Sequence, residues 1–257
     1  MSFSVNWLPQ TVLLYFLIFA RLGTLIMLMP GFSSSRLSVR MRLALALTFT
    51  FIMYPLISPT YPQGNLAFYP IIALLASELA VGFVLGGTAR LLTSAAQVAG
   101  STIAFQTGLS FAQTSDPTQG GLQGAIFGNF IAVLGVTLIF SMDLHHLVLA
   151  AIYRSYEIFA PGAPILLEDA GTMALKIISS SFVVGVQMAA PFIVFGLVFY
   201  FGLGLLARLM PQLQVFFIAM PANIGLGLLM FALLLSVMMA LYIEHLETYF
   251  AALVGVR

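Results

Sequence analysis

Long runs of hydrophobic residues dominate the pattern of this chain, and six of them are long enough to cross a bilayer. A helix needs about 20 apolar residues to span a hydrocarbon core roughly 30 Å thick. The runs lie at about 8–29, 41–58, 69–89, 124–142, 177–203 and 213–243. They lack the alternation of apolar and polar positions that is typical of membrane barrel strands. The pattern therefore predicts an all-α protein.

Polar segments that contain proline and glycine separate these runs and predict loops. One follows the first run at Pro30 and Gly31, and another occupies 58–65. Pro161 and Gly162 lie in a longer polar connector before the fifth run. That connector holds a group of charged residues: Arg154, Glu157, Glu168, Asp169 and Lys176. A small amphipathic stretch at 92–105 predicts a further short helix.

Composition changes the picture by removing the soluble alternative. The chain of 257 residues is 61% hydrophobic and 7% charged, whereas about 25% of a soluble domain is charged. So few charges cannot cover a water-exposed surface, so lipid or other subunits must surround the helices. A net charge of +1 argues against nucleic acid as a partner. No segment resembles a separate soluble domain, and we expect 1–257 to form one helical domain.

The first run is predicted to be retained, because no basic residue precedes it and no small-residue cleavage pattern follows it. Lysine and arginine counts then predict the orientation. One side of the membrane receives five of them: Arg36, Arg40, Arg42, Arg90 and Arg208. The other side receives three: Arg154, Lys176 and Arg257. The bias predicts that both termini lie outside the cytoplasm.

Two charged residues lie deep within apolar runs, away from the ends of the runs: Arg21 in the first and Glu78 in the third. An ionised group at the bilayer centre costs about 2.5–3.5 kcal/mol even on insertion scales. These residues therefore require an ion pair between helices, snorkelling, or contact with protein or water. The 22 glycines and 12 prolines predict helices that are often interrupted and tightly packed against neighbours.

The segment 106–121 is polar, nearly uncharged and rich in glycine, which is unusual for a solvent loop. Irregular backbone at membrane depth is tolerated where it is buried in protein or lines a water-filled cavity. The segment could therefore block a pore, or it could be a surface connector with an Asp-Pro turn. Its candidate residues are Gln106, Gly108, Leu109, Ser110, Phe111, Asp116, Pro117, Gly120 and Gly121.

Two motifs in this order resemble the FliR family of flagellar type III export proteins, whose injectisome counterparts are the SctT proteins. The first runs from Gln106 through Gly-Leu-Ser-Phe-Ala to Asp116-Pro117. The second runs from Leu203 through Arg208 and Pro211-Gln212 to Pro221. The early Ala20-Arg21 pair and the run 39–46 also fit the family pattern, so the resemblance extends over essentially the whole chain.

The resemblance implies a fold of helical hairpins within a larger hetero-oligomer at the bacterial inner membrane, in the flagellar basal body. Implied partners are FliP- and FliQ-like subunits, FlhB- and FlhA-like proteins, and unfolded flagellar export substrates. Residues 1–176 would be the FliP-like part and about 177–257 the FliQ-like hairpin. We predict a non-enzymatic subunit without a cofactor, because the sequence contains no phosphate-binding Gly-x-x-x-x-Gly-Lys motif.

The resemblance also implies roles for individual residues. The segment 106–121 matches the family's plug, with Leu109 and Phe111 as sealing side chains and Asp116-Pro117 fixing its turn. Hinges would lie at three glycines: Gly108, Gly120 and Gly121. Residues implied in assembly or in breaking the last hairpin are Arg21, Glu78, Arg208, Pro211 and Gln212.

Three alternatives from other classes are weaker. A secondary transporter of a small solute would explain the charges within the runs, but it is expected to contain inverted repeats, and no convincing repeat is present. A protease would use Ser110 with one of the three histidines: His145, His146 or His245. A metal site at Asp143, His145 and His146 is not predicted, because adjacent positions on a helix do not converge.

Overall fold

The computed structural model describes residues 8–29, 31–32, 37–62, 68–110, 125–162, 167–210 and 215–255. Within these ranges the chain is helical and contains no strand, which confirms the predicted all-α class. A short 3-10 turn, Ser58–Thr60, follows the second helix. The α-helices of the described part are α1 Leu8–Leu28, α2 Val39–Ile57, α3 Phe68–Gln106, α4 Ala125–Ser141, α5 His145–Ile158, α6 Leu167–Leu209 and α7 Val215–Val254.

Five helices in the described ranges are long and apolar enough to cross a membrane. A sixth span is obtained if 126–141 and 145–158, which are separated by a short break, count as one. These spans correspond to the six hydrophobic runs. The sequence thus predicted the membrane helices, although it placed several of their ends wrongly.

The prediction of a separate helix at 92–105 is wrong. This segment is part of the second half of α3, which continues unbroken for 39 residues. The prediction ended the third run where hydropathy falls near Arg90. A single exposed arginine does not end a helix when no proline or left-handed residue follows it.

The predicted loop around Arg154 is also wrong, because this part of the connector forms α5. Glu168 and Asp169, near the end of the predicted connector, belong to the first turn of α6. Five residues of α5 are buried at helical spacing: Val148, Ala151, Ile152, Ser155 and Tyr156. Such a stripe is typical of an amphipathic helix, and the charged residues on the opposite face concealed it.

The prediction that glycine and proline often interrupt the helices is wrong for the long helices that the structure describes. Pro55, Pro191 and Pro221 lie inside α2, α6 and α7. In membrane helices the backbone groups that proline frees can be satisfied locally or by neighbours. Several glycines instead mark close approaches between helices, as described below.

The chain forms two compact units. The first consists of Met1–Leu91, Asp143–Ile177 and Tyr249–Arg257, and its core is built on buried residues of α1 that include Leu17, Ile18 and Leu22. The second consists of Leu92–Met142 and Ile178–Thr248. The predicted division at 176 into FliP-like and FliQ-like parts stays a prediction.

Phenylalanine rings contribute to the core of the second unit. The ring of Phe231 on α7 lies 4.6 Å from that of Phe127 on α4 and 6.5 Å from that of Phe192 on α6, measured between centroids. Such tilted pairs add roughly 0.5–1.5 kcal/mol to the burial of the rings. Phe231 therefore joins three helices of this unit.

Candidate functional site

The two charged residues of the apolar runs form a buried ion pair in the first unit. Arg21 on α1 and Glu78 on α3 are 1% and 0% exposed. The guanidinium donates through Nε to one carboxylate oxygen and through Nη2, at 3.0 Å, to the other. This two-pronged geometry is the strongest arrangement available to an arginine and a carboxylate. Of the alternatives that the sequence left open for these two residues, the structure shows the ion pair between helices.

Arg21 also holds the end of α5. Its Nη1 donates to the carbonyl of Ser155 at 3.0 Å, and its Nη2 donates to the carbonyl of Phe159 at 2.9 Å. The guanidinium carbon lies 4.0 Å from the centroid of the Tyr156 ring. A cation at a helix C-terminus interacts favourably with the last carbonyls of the helix and with the helix dipole. One side chain thus connects α1, α3 and α5.

Two glycines allow α1 and α3 to approach closely beside the ion pair. A Cβ atom at Gly82 would lie 2.5 Å from the carbonyl oxygen of Arg21, and one at Gly86 would lie 2.8 Å from the Cβ of Leu28. Glu78, Gly82 and Gly86 recur every four residues and therefore share one face of α3. This face combines small residues with one charge, and it sets the distance at which Arg21 meets its partner.

Tyr61 is buried beside these residues, with its ring centroid 6.5 Å from that of Tyr156. Burial raises the pKa of the Tyr61 phenol far above its ordinary value, and the negative charge of Glu78 raises it further. The phenol therefore stays protonated over the physiological pH range. Tyr61 is neutral, and the charges of Arg21 and Glu78 balance each other. This cluster of three residues therefore has a structural role, in which it holds helices of the first unit together.

A second polar cluster lies in the second unit, where α3 ends and the segment 106–121 begins. Asn223 on α7 is 3% exposed. Its amide nitrogen lies 3.2 Å from the carbonyl oxygen of Gln106 and 3.3 Å from the hydroxyl of Tyr200. The C-terminal carbonyls of a helix have no partner within the helix. Asn223 supplies one and so attaches the end of α3 to α6 and α7.

Glycines seat this end of α3 against both neighbours. A Cβ atom at Gly196 of α6 would collide with the side-chain amide of Gln106, and one at Gly227 of α7 would collide with the side chain of Thr107. Gly108 has a φ of +73°, the left-handed conformation that commonly terminates helices. The segment therefore leaves α3 at a fixed point.

The structure places only part of the predicted plug. Gln106, Gly108, Leu109 and Ser110 are described, and the last two are partly buried. The other predicted plug residues, Phe111, Asp116, Pro117, Gly120 and Gly121, lie outside the described residues, as do Pro211 and Gln212. Arg208 is exposed in the last turn of α6, and its role in assembly stays a prediction.

Sequence reasoning missed Asn223. The signal was present, because an asparagine within the apolar run 213–243 is a buried amide that requires a partner. Its partner could not be identified, since Gln106 is 117 positions away along the chain. The sequence likewise could not predict which residues Gly196 and Gly227 contact.

The weaker alternative, a protease in which Ser110 pairs with a histidine, gains no support from His245. The Nε2 atom of His245 lies 3.2 Å from the hydroxyl of Ser181 instead. Ser181 is 0% exposed, so a substrate bond cannot reach its oxygen. The pair links α6 to α7 and offers no accessible nucleophile.

Asp143, His145 and His146 converge in the structure, so the prediction that adjacent positions keep these side chains apart is wrong. One ligand atom from each lies within 4.8 Å of the other two. The rule that adjacent positions diverge holds inside a helix, whereas these residues lie just before α5 and in its first two positions.

The described residues form apolar helices that are long enough to cross a membrane, and they enclose the ion pair of Arg21 and Glu78. These features define an integral membrane protein. It belongs to the bacterial export proteins, family 1, because the model of that family matches residues 12–249.

Proteins similar to this chain carry a common name. The flagellar biosynthetic protein FliR of Caulobacter vibrioides is 40% identical over 220 residues, which is 86% of this chain and 87% of the relative. The protein of the same name from Escherichia coli strain K12 is 29% identical over 245 residues, 95% of this chain and 91% of the relative. A FliR from Bacillus subtilis strain 168 is 29% identical over 226 residues, 87% and 86% of the two chains.

Proposed function

We propose that this chain is a non-enzymatic subunit of the flagellar type III export gate in the bacterial inner membrane. It forms, with FliP- and FliQ-like subunits, the channel through which unfolded flagellar proteins leave the cytoplasm. FlhB- and FlhA-like proteins are further partners of the gate. The segment 106–121 acts as the plug of that channel. Support comes from the family membership, from the names of the relatives and from the length of the helices.

The length of the apolar helices carries the proposal. The apolar part of α6, Gly171–Leu209, has 39 residues, which at 1.5 Å per residue is about 58 Å. A hydrocarbon core is roughly 30 Å thick. Fitting this helix into the core would require a tilt of about 60°, whereas membrane helices tilt by about 0–40°. Part of its apolar surface must therefore be covered by protein.

The apolar parts of α3 and α7 are 38 and 35 residues long, so the same argument applies to them. On α6 a stripe of large side chains is more than half exposed: Val194, Leu197, Phe201, Leu205 and Leu209. Their spacing of three or four residues forms one face of the helix. A neighbouring helical subunit fits such a face and would cover the part that lies outside lipid.

The plug proposal is supported by how the segment begins. Gly108 ends α3 in a left-handed conformation, and Asn223 holds the carbonyl of Gln106 just before it. A glycine-rich segment that starts at a fixed point on packed helices is placed to close a lumen between them. Leu109 and Phe111 are the side chains proposed to make the seal.

Co-purification tests the assembly. We expect the chain, extracted in mild detergent together with FliP- and FliQ-like proteins of the same cell, to appear in native mass spectrometry only in hetero-oligomers. A membrane protein of the exporting cell that is not part of the apparatus serves as the control. A self-sufficient monomer that binds or moves a small solute would overturn the proposal in favour of a transporter.

Shortening the plug tests the channel. Replacing residues 111–121 with a brief Gly-Ser linker should leave assembly intact and increase leakage of ions or small molecules through the gate. The matched control is a similar replacement of 63–67, the connector between α2 and α3. Equal leakage from both variants, with both assembled normally, would contradict the plug.

A further inference from the structure

Three side chains with metal-binding atoms meet at the turn between α4 and α5, and neither the family nor the proposed function explains them. Asp143 lies in the turn, and His145 and His146 begin α5. One ligand atom from each lies within 4.8 Å of the others. The centroids of the two imidazole rings are 4.2 Å apart, and the ring planes are tilted by 35°.

The backbone at Asp143 explains how neighbouring residues converge. Its φ is +58°, and among the described residues it is the one non-glycine residue with a positive φ. Aspartate tolerates this left-handed conformation better than most residues. The turn is closed by the backbone N–H of His146, which donates to the carbonyl of Asp143 at 3.1 Å. The aspartate is thereby folded back towards the first turn of α5.

We propose that Asp143, His145 and His146 form a binding site for a divalent transition-metal cation, with Zn²⁺ as the reference ion. Two imidazoles and one carboxylate suit Zn²⁺, Cu²⁺ and Ni²⁺. Three protein ligands with water in the remaining position complete a tetrahedral zinc site. Tetrahedral ligands at about 2.0–2.2 Å from zinc lie roughly 3.4 Å apart. Side-chain rotations that bring the atoms closer, by up to about 1.4 Å, and turn the ring nitrogens towards the ion would complete the geometry.

The surroundings of the three side chains allow these rotations and allow an ion to reach the site. Asp143 and His146 are exposed, and His145 is partly buried. The chain contains no cysteine and three histidines, so no thiolate competes for the ion. The remaining histidine, His245, faces Ser181.

A bound cation would connect the turn to the first turn of α5. The other end of that helix is held by Arg21 through the carbonyls of Ser155 and Phe159. The site would thus fix α5 at its start as the arginine fixes it at its end. This role does not depend on export activity and can be tested without it.

Zinc titration of the full chain tests the site. The protein is purified in detergent with a tag that contains no histidine, stripped with a chelator, and titrated with Zn²⁺ against a chromophoric competitor. We expect one bound ion per chain and a rise in Tm with zinc. His146→Ala should weaken binding at least about tenfold and abolish the rise in Tm.

Two further variants separate ligation from folding defects. Asp143→Asn retains a residue that tolerates the left-handed conformation, so it should fold normally, as judged by circular dichroism, yet bind zinc several-fold more weakly. His245→Ala removes the third histidine and should bind like the original protein. Binding that is unchanged in His146→Ala, or lost equally in His245→Ala, would overturn the proposal, as would absence of binding by the original chain.

Discussion

Replacing Glu78 with glutamine should lower the free energy of unfolding of the detergent-solubilised chain by about 3–5 kcal/mol. Glutamine keeps the size of the side chain but leaves the guanidinium of Arg21 buried without an opposite charge. Breaking one partner of a buried pair costs more than the pair contributes, because the remaining ion is desolvated and uncompensated. Denaturant unfolding, followed by circular dichroism, measures the loss.

The matched control is the ion pair of Arg154 and Glu157 on α5. These residues are three positions apart, their Nε and Oε2 atoms are 3.9 Å apart, and their side chains are 46% and 62% exposed. Exposed pairs contribute about 0–1 kcal/mol, so Glu157→Gln should have little effect. Similar losses in the two variants would show that the buried pair has no special role.

The double variant Arg21→Met with Glu78→Leu tests the role of the carbonyls. Replacing a buried pair by apolar residues often restores stability. Here the carbonyl of Phe159 would also lose the guanidinium donor, at a cost of about 1–3 kcal/mol. We therefore expect only partial recovery relative to Glu78→Gln. Full recovery would mean that the contacts of Arg21 with α5 contribute little.

This ion pair shows how far the sequence alone could lead. The cost of a charge in an apolar run predicted that Arg21 and Glu78 needed partners. It could not predict that Arg21 also contacts Ser155 and Phe159, which are 134 and 138 positions away along the chain. Those acceptors are backbone carbonyls, and no residue type in the sequence marks them.

Helix ends and turns were harder to predict than helices. Hydropathy identified each membrane run, but it missed α5, whose buried stripe is outweighed by polar residues in any average over the segment. It also missed the convergence of Asp143 with two histidines, because one left-handed residue changes the direction of the chain. Such a conformation depends on the local backbone and leaves no periodic signal.

For the glycines too, the sequence predicted a general property but not the individual contacts. Their number predicted close packing of helices, and the structure assigns that role to some of them. A Cβ atom at Gly100 would collide with the backbone of Gly128 on α4, whereas one at Gly202 would meet nothing within 4 Å. The sequence does not distinguish these two positions, since both lie in apolar helices.

Gly100→Ala should therefore destabilise the chain, by about 1–3 kcal/mol or more, as expected when an atom is forced into a packed interior. The obstacle is backbone of α4, so no side-chain rotation can relieve it, and α3 and α4 must move apart. The higher helix propensity of alanine offsets up to about 1 kcal/mol of this loss. Thermal or denaturant unfolding of the isolated chain measures the net effect.

Gly202→Ala on α6 is the control, because it carries the same change of propensity without the collision. It should leave the isolated chain unchanged or stabilise it by up to about 1 kcal/mol. The difference between the two variants then isolates the steric cost at the contact of α3 with α4. If Gly100→Ala proves as stable as Gly202→Ala, the two helices do not pack through their glycine backbones, and the close approach described for this unit is incorrect.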